Sequence, residues 1–179
     1  MRNQLARDLE LYDRHEFNFC WITDFPLFEW NSEEHKWDPA HHMFTMPQEE
    51  FISGLEEDPK AVKGDLYDLV CSGTELGSGS IRIHNLKLQQ RIFNIIGISA
   101  EDAKKRFGFL MEAFQYGPPP HGGIAFGLDR LVMLMAGESS IREVIPFPKN
   151  TTGASLMDDS PSPVDPGQLE ELHLKITPD

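Results

Sequence analysis

The chain has 179 residues, with 16 Lys and Arg against 29 Asp and Glu, a formal charge of −13. That length predicts one domain burying roughly 70% of the surface its unfolded chain would expose, and 40% hydrophobic with 25% charged residues excludes a disordered tail and a membrane bundle. A surface this acidic does not gather nucleic acid by bulk charge, so any RNA contact must be local or carried by other parts of a longer polypeptide.

Residues 1–16 contain no apolar run after the first basic residue and do not read as a secretory signal. The longest apolar stretch, Gly122–Gly137, is broken by Asp129 and Arg130 and falls short of the ~20 residues that span a bilayer. Cys20 and Cys71 form no CxxC pair, which argues against a disulfide framework or a zinc site and fits a reducing compartment. The expectation is a soluble, cytoplasmic, single-domain protein.

In chain order, Leu5, Leu9 and Tyr12 repeat at helical spacing and predict a short surface helix over residues 2–12. Phe17–Thr23 is aromatic and β-branched and predicts a strand, with Leu27–Trp30 continuing extended after Asp24-Phe25-Pro26. Residues 31–40 are polar, with a turn expected at Asp38-Pro39, and Pro47 is placed to open a helix. Leu66–Asn85 alternates apolar and polar residues around glycines 73, 77 and 79, predicting two or three antiparallel strands.

A helix over 87–96 closes at Gly97, and Ser99 with Asp102 caps the next, whose core face is Ala103, Phe107, Leu110, Met111 and Phe114. Gly122–Phe126 predicts a strand and Leu128–Ala136 an apolar helix closed by Gly137. Asp165-Pro166 caps a last helix reaching Leu172. Strands cluster before helices, so the fold class expected is α+β, an antiparallel β-sheet flanked by helices.

Three segments can carry chemistry. In Gly123–Leu131, GIAFGLDRL, an apolar strand runs through Gly127 into a helix opened by Leu128, Asp129 and Arg130. Gly127 is expected to turn the chain sharply and admit a flat ligand. Arg130 either stacks on a ring or pairs with phosphate, or is a solvated arginine beside Asp129 at a helix N-terminus. In the 66–85 block, Asp68 and Glu75 lie on neighbouring strands beside glycines 77 and 79, which are expected to leave open space. Such carboxylates hold Mg²⁺ on a polyphosphate or are the polar side of an ordinary half-exposed strand. Arg82 alternates with Ile81 and Ile83 and so faces away from the core, where it is a clamp for a carboxylate. His41 and His42 are adjacent on extended chain, so at most one serves a given pocket, and their spacing is not that of a zinc site. His84 and His121 are weaker candidates, His121 serving equally to steady its PPPHGG turn.

Together these segments resemble the C-terminal catalytic portion of the bacterial-type aspartyl-tRNA synthetases. GIAFGLDRLVML resembles motif 3 of the class II synthetases, placed at 123–131. WITDFPLFEW, AHHMFT, GTELGSGSIRIHN, RFGFLMEAFQYG and IREVIPFPK resemble the aspartate enzyme in particular. The likeness covers residues 17–179, and residues 1–16 resemble the return from an inserted domain.

The resemblance implies L-aspartate bound by Arg82 and His41, and ATP bound by Glu75, Gly127, Leu128, Asp129 and Arg130. It implies Mg²⁺ held by Asp68 and Glu75, and Arg130 and Glu75 as the catalytic pair. The implied partners are L-aspartate, ATP and the acceptor end of tRNA(Asp), with a homodimer in the full-length parent and no membrane. The implied location is the cytoplasm, or equally an organellar matrix. No counterpart of motif 1, of motif 2 with its Phe-Arg-Asp-Glu core, or of an anticodon-binding barrel is found. The expectation is therefore a ligase fragment inactive by itself, with unpaired strand edges, exposed apolar surface and a tendency to aggregate. Two alternatives stand beside it: a non-catalytic shortened relative acting as a binding or regulatory module, and a class II ligase for asparagine or lysine.

Overall fold

In a computed structural model, residues 1–11, 13 and 16–177 are described. The chain divides into two compact units, Met1–Leu131 and Val132–Asp179. The division falls inside one helix, where no change of composition marks it.

The first unit is built on a four-stranded antiparallel sheet in the order β1-β4-β5-β6. Its strands are β1 (Phe19–Ile22), β4 (Leu66–Cys71), β5 (Thr74–Ile81) and β6 (Gly122–Phe126). β4 and β5 are joined by Ser72 and Gly73, both at positive φ (47° and 84°), the geometry of a two-residue hairpin turn whose twist matches the strands. The 66–85 block thus yields two strands. β2 (Phe28–Asn31) and β3 (Lys36–Pro39) form a separate hairpin.

The turn expected at Asp38-Pro39 lies instead at residues 32–35, where the Asn31 carboxamide oxygen accepts from the Glu33 and Glu34 N–H groups at 3.0 Å each and His35 takes φ 52°. A two-stranded hairpin leaves each strand an open edge, so Pro39 needs no ladder hydrogen bond. Trp30 and Trp37 face one another across the pair, 5.2 Å between rings.

α1 (Arg2–Asp8) is the predicted surface helix in shorter form; Tyr12 lies outside the described residues. The helix expected after Pro47 is only a 3₁₀ turn over Glu49–Phe51. Pro47 is bridged to Gly64 and the Gln48 N–H donates to the Lys63 carbonyl, so the chain is held extended where a helix would start. The turn instead delivers Leu55 to the core, and Arg91 clamps the following segment through a two-pronged pair with Glu56, 2.6 Å on each arm.

α2 (Leu86–Ile95) and α3 (Ala100–Phe114) follow the predicted spacing. The Asn85 side chain accepts from Lys87 N and Leu88 N, and the Ser99 hydroxyl accepts from Asp102 N, satisfying N–H groups that the first helical turn leaves unpaired. Gly97 ends α2 at φ 78°, the left-handed position glycine favours. The core lies under these helices, with Leu55, Val62, Ile83, Ile92, Phe93 and Ala103 at most 1% exposed. Phe44, Phe93 and Phe107 form its aromatic centre, with ring separations of 5.2–6.3 Å. Of the predicted face of α3, Phe107 and Met111 pack against this core.

α4 (Leu128–Met135) begins in the first unit and ends in the second, where Gly137 closes it at φ 71°. The second unit also holds a 3₁₀ turn at Ile141–Glu143 and α5 (Pro166–Glu171), capped by the Asp165 carboxylate on Gly167 N at 2.7 Å. Among the described residues no helix is long and apolar enough to cross a membrane. The sheet ends on β1 and β6, and large apolar side chains stand exposed on both, Phe19 and Trp21 on one and Phe126 on the other. This is the exposed apolar surface expected from the sequence.

Gly77 and Gly79 do not leave open space. A Cβ on Gly77 would meet the Ala125 carbonyl and the Phe126 ring at 3.0 Å, and one on Gly79 would strike the Gly123 carbonyl and the Tyr67 ring. Gly123, across the ladder from Ser80, has nothing within 4 Å of a built Cβ. Gly79→Ala is therefore expected to cost about 1–3 kcal/mol through overpacking, while Gly123→Ala stays within about 0.5 kcal/mol. Urea denaturation of the two variants checks the contrast, and equal losses would contradict it.

Candidate functional site

Register decides which side chains share a face. β4 pairs with β5 through Asp68 opposite Ser78 and Leu69 opposite Gly77, but Val70 then lies opposite Glu75, leaving Leu76 as an extra residue in β5. Such a bulge reverses the alternation beyond it. Glu75 and Arg82 are an odd number of residues apart and would face opposite ways on an unbroken strand. The bulge sets Glu75 opposite Val70, on the face shared by Asp68, Ser78 and Ser80, and the same alternation carries on to Arg82.

Between these groups β5 and β6 line the face with small residues, while β4 adds Leu66 opposite Ser80 and Val70 opposite Glu75. Ser78 is opposite Ala125 and Ser80 opposite Gly123, so the middle of β5 and β6 forms a low floor. The bulky neighbours, Tyr67, Leu69, Ile124 and Phe126, alternate to the other side. There the Tyr67 hydroxyl donates to the Gly123 carbonyl at 3.3 Å and Trp21 meets the Tyr67 ring edge-on at 5.9 Å. Glu75 and Arg82 bracket the floor, roughly 20 Å apart at about 3.3 Å per residue.

At the Glu75 end stands Arg130 from the first turn of α4. Its Nη1 donates to the Glu75 backbone carbonyl at 2.9 Å and lies 3.3 Å from Oε1 of the Glu75 carboxylate, both side chains being 47% exposed. Gly127 donates its N–H to the carbonyl of the bulge residue Leu76 at 2.8 Å, fixing the start of α4 against β5. The chain passes from β6 to α4 across Gly127 alone, as expected, but without a positive φ, so the turn does not use the left-handed conformation that glycine favours. A Cβ there would touch the aliphatic stem of Arg130 at 3.4–3.7 Å, so the glycine gives that stem room. Leu128 and Asp129 are exposed in the first turn of α4, with Asp129 at the favourable end of the helix dipole.

At the other end, the chain beyond β5 pairs with the segment after the histidines. Ile83 N donates to the Phe44 carbonyl, Met46 N donates to the Ile81 carbonyl, and Thr45 bridges Arg82. With Phe44 anchored in the aromatic core, His42 comes to rest on Arg82. Nδ1 of His42 is 3.0 Å from Arg82 Nη1, and the Phe44 N–H donates to the same nitrogen at 3.2 Å. A backbone N–H and a guanidinium only donate, so both Phe44 and Arg82 ask the ring for an acceptor, which a neutral imidazole carries on one nitrogen. Nε2 lies 3.2 Å from the Ser80 hydroxyl, and Arg82 Nη1 approaches Nε2 more closely than it does Nδ1. Burial first, then the positive charge of Arg82 and the neighbouring His41 ring, pull the His42 pKa down to about 4.

His41, the histidine assigned to the amino-acid pocket by resemblance, is exposed, and its ring lies 4.7 Å from that of His42. His42 is the polar contact of Arg82 that sequence reasoning left unassigned. Its signal was the Thr45-Arg82 pairing, which two distant segments do not advertise. Asp68 is half-buried in mid-strand opposite Ser78 and Ile22. Among the described residues no group of three or more His, Cys, Asp or Glu encloses a cation, so Asp68 and Glu75 form at most a two-carboxylate donor set. Nδ1 of His121 lies 2.9 Å from the Pro119 carbonyl within its own turn, and Nδ1 of His84 is buried without a partner.

The His42 environment has a sign that can be measured. Between pH 6.5 and about 4 the unfolded chain takes up a proton that native His42 refuses, so this group withdraws stability as pH falls through that window and contributes no slope above it. His42→Asn lacks the group. Its melting temperature relative to wild type is expected to rise steadily from pH 6.5 down to pH ~4 and to be flat between pH ~7 and ~8.5. Parallel curves would show that His42 titrates as an ordinary histidine.

Comparison with known proteins bears on the same residues. The family of class II tRNA synthetases (D, K and N) matches residues 2–151. An aspartate–tRNA(Asp/Asn) ligase of Treponema denticola is 65% identical over 176 residues, 98% of this chain and 30% of the relative, and that of Rubrobacter xylanophilus is 58% identical, with 98% and 29% covered. The chain thus spans about 30% of the length of the curated relatives it matches. Among solved structures, the aspartyl-tRNA synthetase of Entamoeba histolytica superposes with a TM-score of 0.55 at 25% identity, over 84% of this chain and 25% of that one. The asparaginyl-tRNA synthetase of the same organism, solved with asparaginyl-adenylate, superposes at 0.58 and 20% identity, over 86% and 28%, a likeness of fold. With the family matched from residue 2 to 151 and near-complete coverage by relatives of high identity, the chain belongs to the class II tRNA synthetases of the D, K and N group.

Proposed function

We propose that the chain supplies the amino-acid and nucleotide subsites of an aspartate–tRNA ligase. The observation that carries this reading is the single face of β5, with an arginine at each end of a floor of small residues. A long, flat, anionic ligand fits such a floor, and an aminoacyl-adenylate is one: a carboxylate-bearing side chain at one end, phosphate and purine toward the other. Arg82, with His41 nearby, takes the side-chain carboxylate of L-aspartate. Arg130, Glu75 and the Gly127–Leu128–Asp129 segment take ATP.

The donor set of Asp68 and Glu75 suits Mg²⁺, which accepts one or two carboxylates and fills its remaining positions with water and substrate phosphates. Bound there, the ion supplies charge neutralisation on the polyphosphate. In the first step the α-carboxylate oxygen of aspartate attacks the α-phosphorus of ATP and the α–β bridging bond breaks, giving aspartyl-adenylate and pyrophosphate. In the second, the terminal hydroxyl of the tRNA acceptor end attacks the adenylate carbonyl, and AMP leaves with release of a proton. Neither step needs a side-chain nucleophile, so the residues of this chain contribute by orientation and by stabilising charge.

The substrate class includes tRNA(Asp), and the printed names of the relatives extend it to tRNA(Asp/Asn). The assembly is a homodimer of the longer polypeptide, working in the cytoplasm. Asparagine is rejected because its amide leaves the Arg82 guanidinium without a counter-charge.

The test is aspartate-dependent ATP–pyrophosphate exchange by this chain alone and with the remaining portion of the Treponema denticola relative supplied in trans. Exchange is expected upon complementation, to require aspartate and not asparagine, and to fall by about two to three orders of magnitude in Arg82→Ala. A folded sample that stays silent after complementation would instead favour a non-catalytic binding module.

A further inference from the structure

We propose that His42 is the positioning residue for Arg82: its imidazole accepts from one end of the guanidinium and so aims the rest at an incoming carboxylate. The inference rests on the reading above for the identity of the ligand, and on the structure for the pair itself.

Toward Arg82, which only donates, the ring can serve only as acceptor. Arg82 Nη1 approaches both ring nitrogens, Nε2 more closely than Nδ1, while the Phe44 N–H donates to Nδ1, the Ser80 hydroxyl sits 3.2 Å from Nε2 and the Thr45 hydroxyl 3.2 Å from Nδ1. The ring is held from β5 through Ser80, 1% exposed, and from its own segment through Thr45, which is fully buried. The Gln89 carboxamide, on α2, donates to the Met43 carbonyl at 2.8 Å and braces that segment. Arg82 uses only Nη1 toward His42, which keeps the parallel Nε and Nη2 donors for a bidentate carboxylate.

A neutral acceptor is the partner this task requires. A carboxylate in its place would neutralise Arg82 and compete with the ligand, and a protonated imidazole would repel the arginine. The titratable and charged groups facing the ring are Arg82 from the end of β5 and His41 from its own segment; its remaining neighbours, Phe44, Thr45 and Ser80, are neutral. Burial and these two groups keep the ring uncharged down to about pH 4, so it stays an acceptor throughout the neutral range.

The experiment uses the 179-residue chain, with L-aspartate as probe and L-asparagine beside it. Imidazole ¹⁵N spectra are recorded against pH for wild type and Arg82→Gln, and aspartate binding is measured for wild type, His42→Leu and His42→Asn, whose side-chain oxygen replaces the ring acceptor. His42 is expected to titrate near 4, and to move up toward 6.5 in Arg82→Gln. Aspartate affinity is expected to fall by about tenfold in His42→Leu and to stay within about threefold in His42→Asn, with asparagine binding unmoved by either. A wild-type midpoint near 6.5, or one indifferent to Arg82→Gln, overturns the pairing, and this arm does not depend on how well a His42 variant folds. Equal losses in His42→Asn and His42→Leu overturn the acceptor role. Coupled titration in a chain that binds no aspartate supports the pair and counts against the aspartate subsite instead.

Discussion

Glu75 and Arg82 sit on one strand at an odd spacing, and the pleat of a strand sends residues at odd spacing to opposite faces. Everything at this site depends on how that conflict is resolved. Leu76 is the extra residue in β5, with Val70 paired to Glu75 in its place, and alternation is reset there. The consequences run outward from this point. The carbonyl of Leu76 receives the N–H of Gly127 and so locates the start of α4; α4 in turn presents Arg130 to Glu75. Without the bulge, one end of the site would face the floor of small residues and the other the aromatic underside of the sheet.

The two faces of that sheet divide the work by side-chain size. On one, Ser78, Ser80, Gly123 and Ala125 keep the surface low; on the other, Tyr67, Ile124 and Phe126 fill the space that Gly77 and Gly79 vacate. Gly77 and Gly79 thus act on the side away from the floor of small residues, where they admit the Phe126 and Tyr67 rings. The apolar side continues to the sheet edges, where Trp21 is 57% and Phe126 61% exposed. Large apolar residues at both terminal strands are what a surface built for covering looks like, in keeping with a chain that spans about 30% of its relatives' length.

Local chemistry was legible in the sequence and long-range pairing was not. Ser99 and Asp165 each cap the helix that their position announces, because a cap is a contact between residues two or three apart. The α+β class followed from strands clustering before helices, and the β4–β5 hairpin from alternation around the glycines at 73, 77 and 79. The helix expected after Pro47 failed because Lys63 and Gly64, distant in sequence, hold that chain extended. Asp38 and Pro39 read as a turn by composition, yet they lie in a strand that an edge position excuses from donating. For the candidate site, Arg82, Arg130 and the carboxylates Asp68 and Glu75 are singled out by their flanking residues, and their individual ligands come only from the resemblance. The bulge, which sets where Glu75 faces, and His42, whose partner is forty residues away, depend on register and needed coordinates.

The two arginines carry equal charge but are not equally available, and this asymmetry follows from their partners. Arg130 is paired with a carboxylate, and at 3.3 Å with both groups about half exposed that pair contributes less than about 1 kcal/mol. It is therefore readily exchanged when a polyphosphate offers more oxygens to the arginine or a cation claims Glu75. Arg82 leans on a neutral ring, keeps its full charge, and loses nothing in electrostatic terms when a carboxylate arrives. One end of the floor is thus a replaceable contact suited to a departing phosphate group. The other is a standing positive charge without a carboxylate partner in a chain whose net charge is −13, which is what the proposed carboxylate subsite requires.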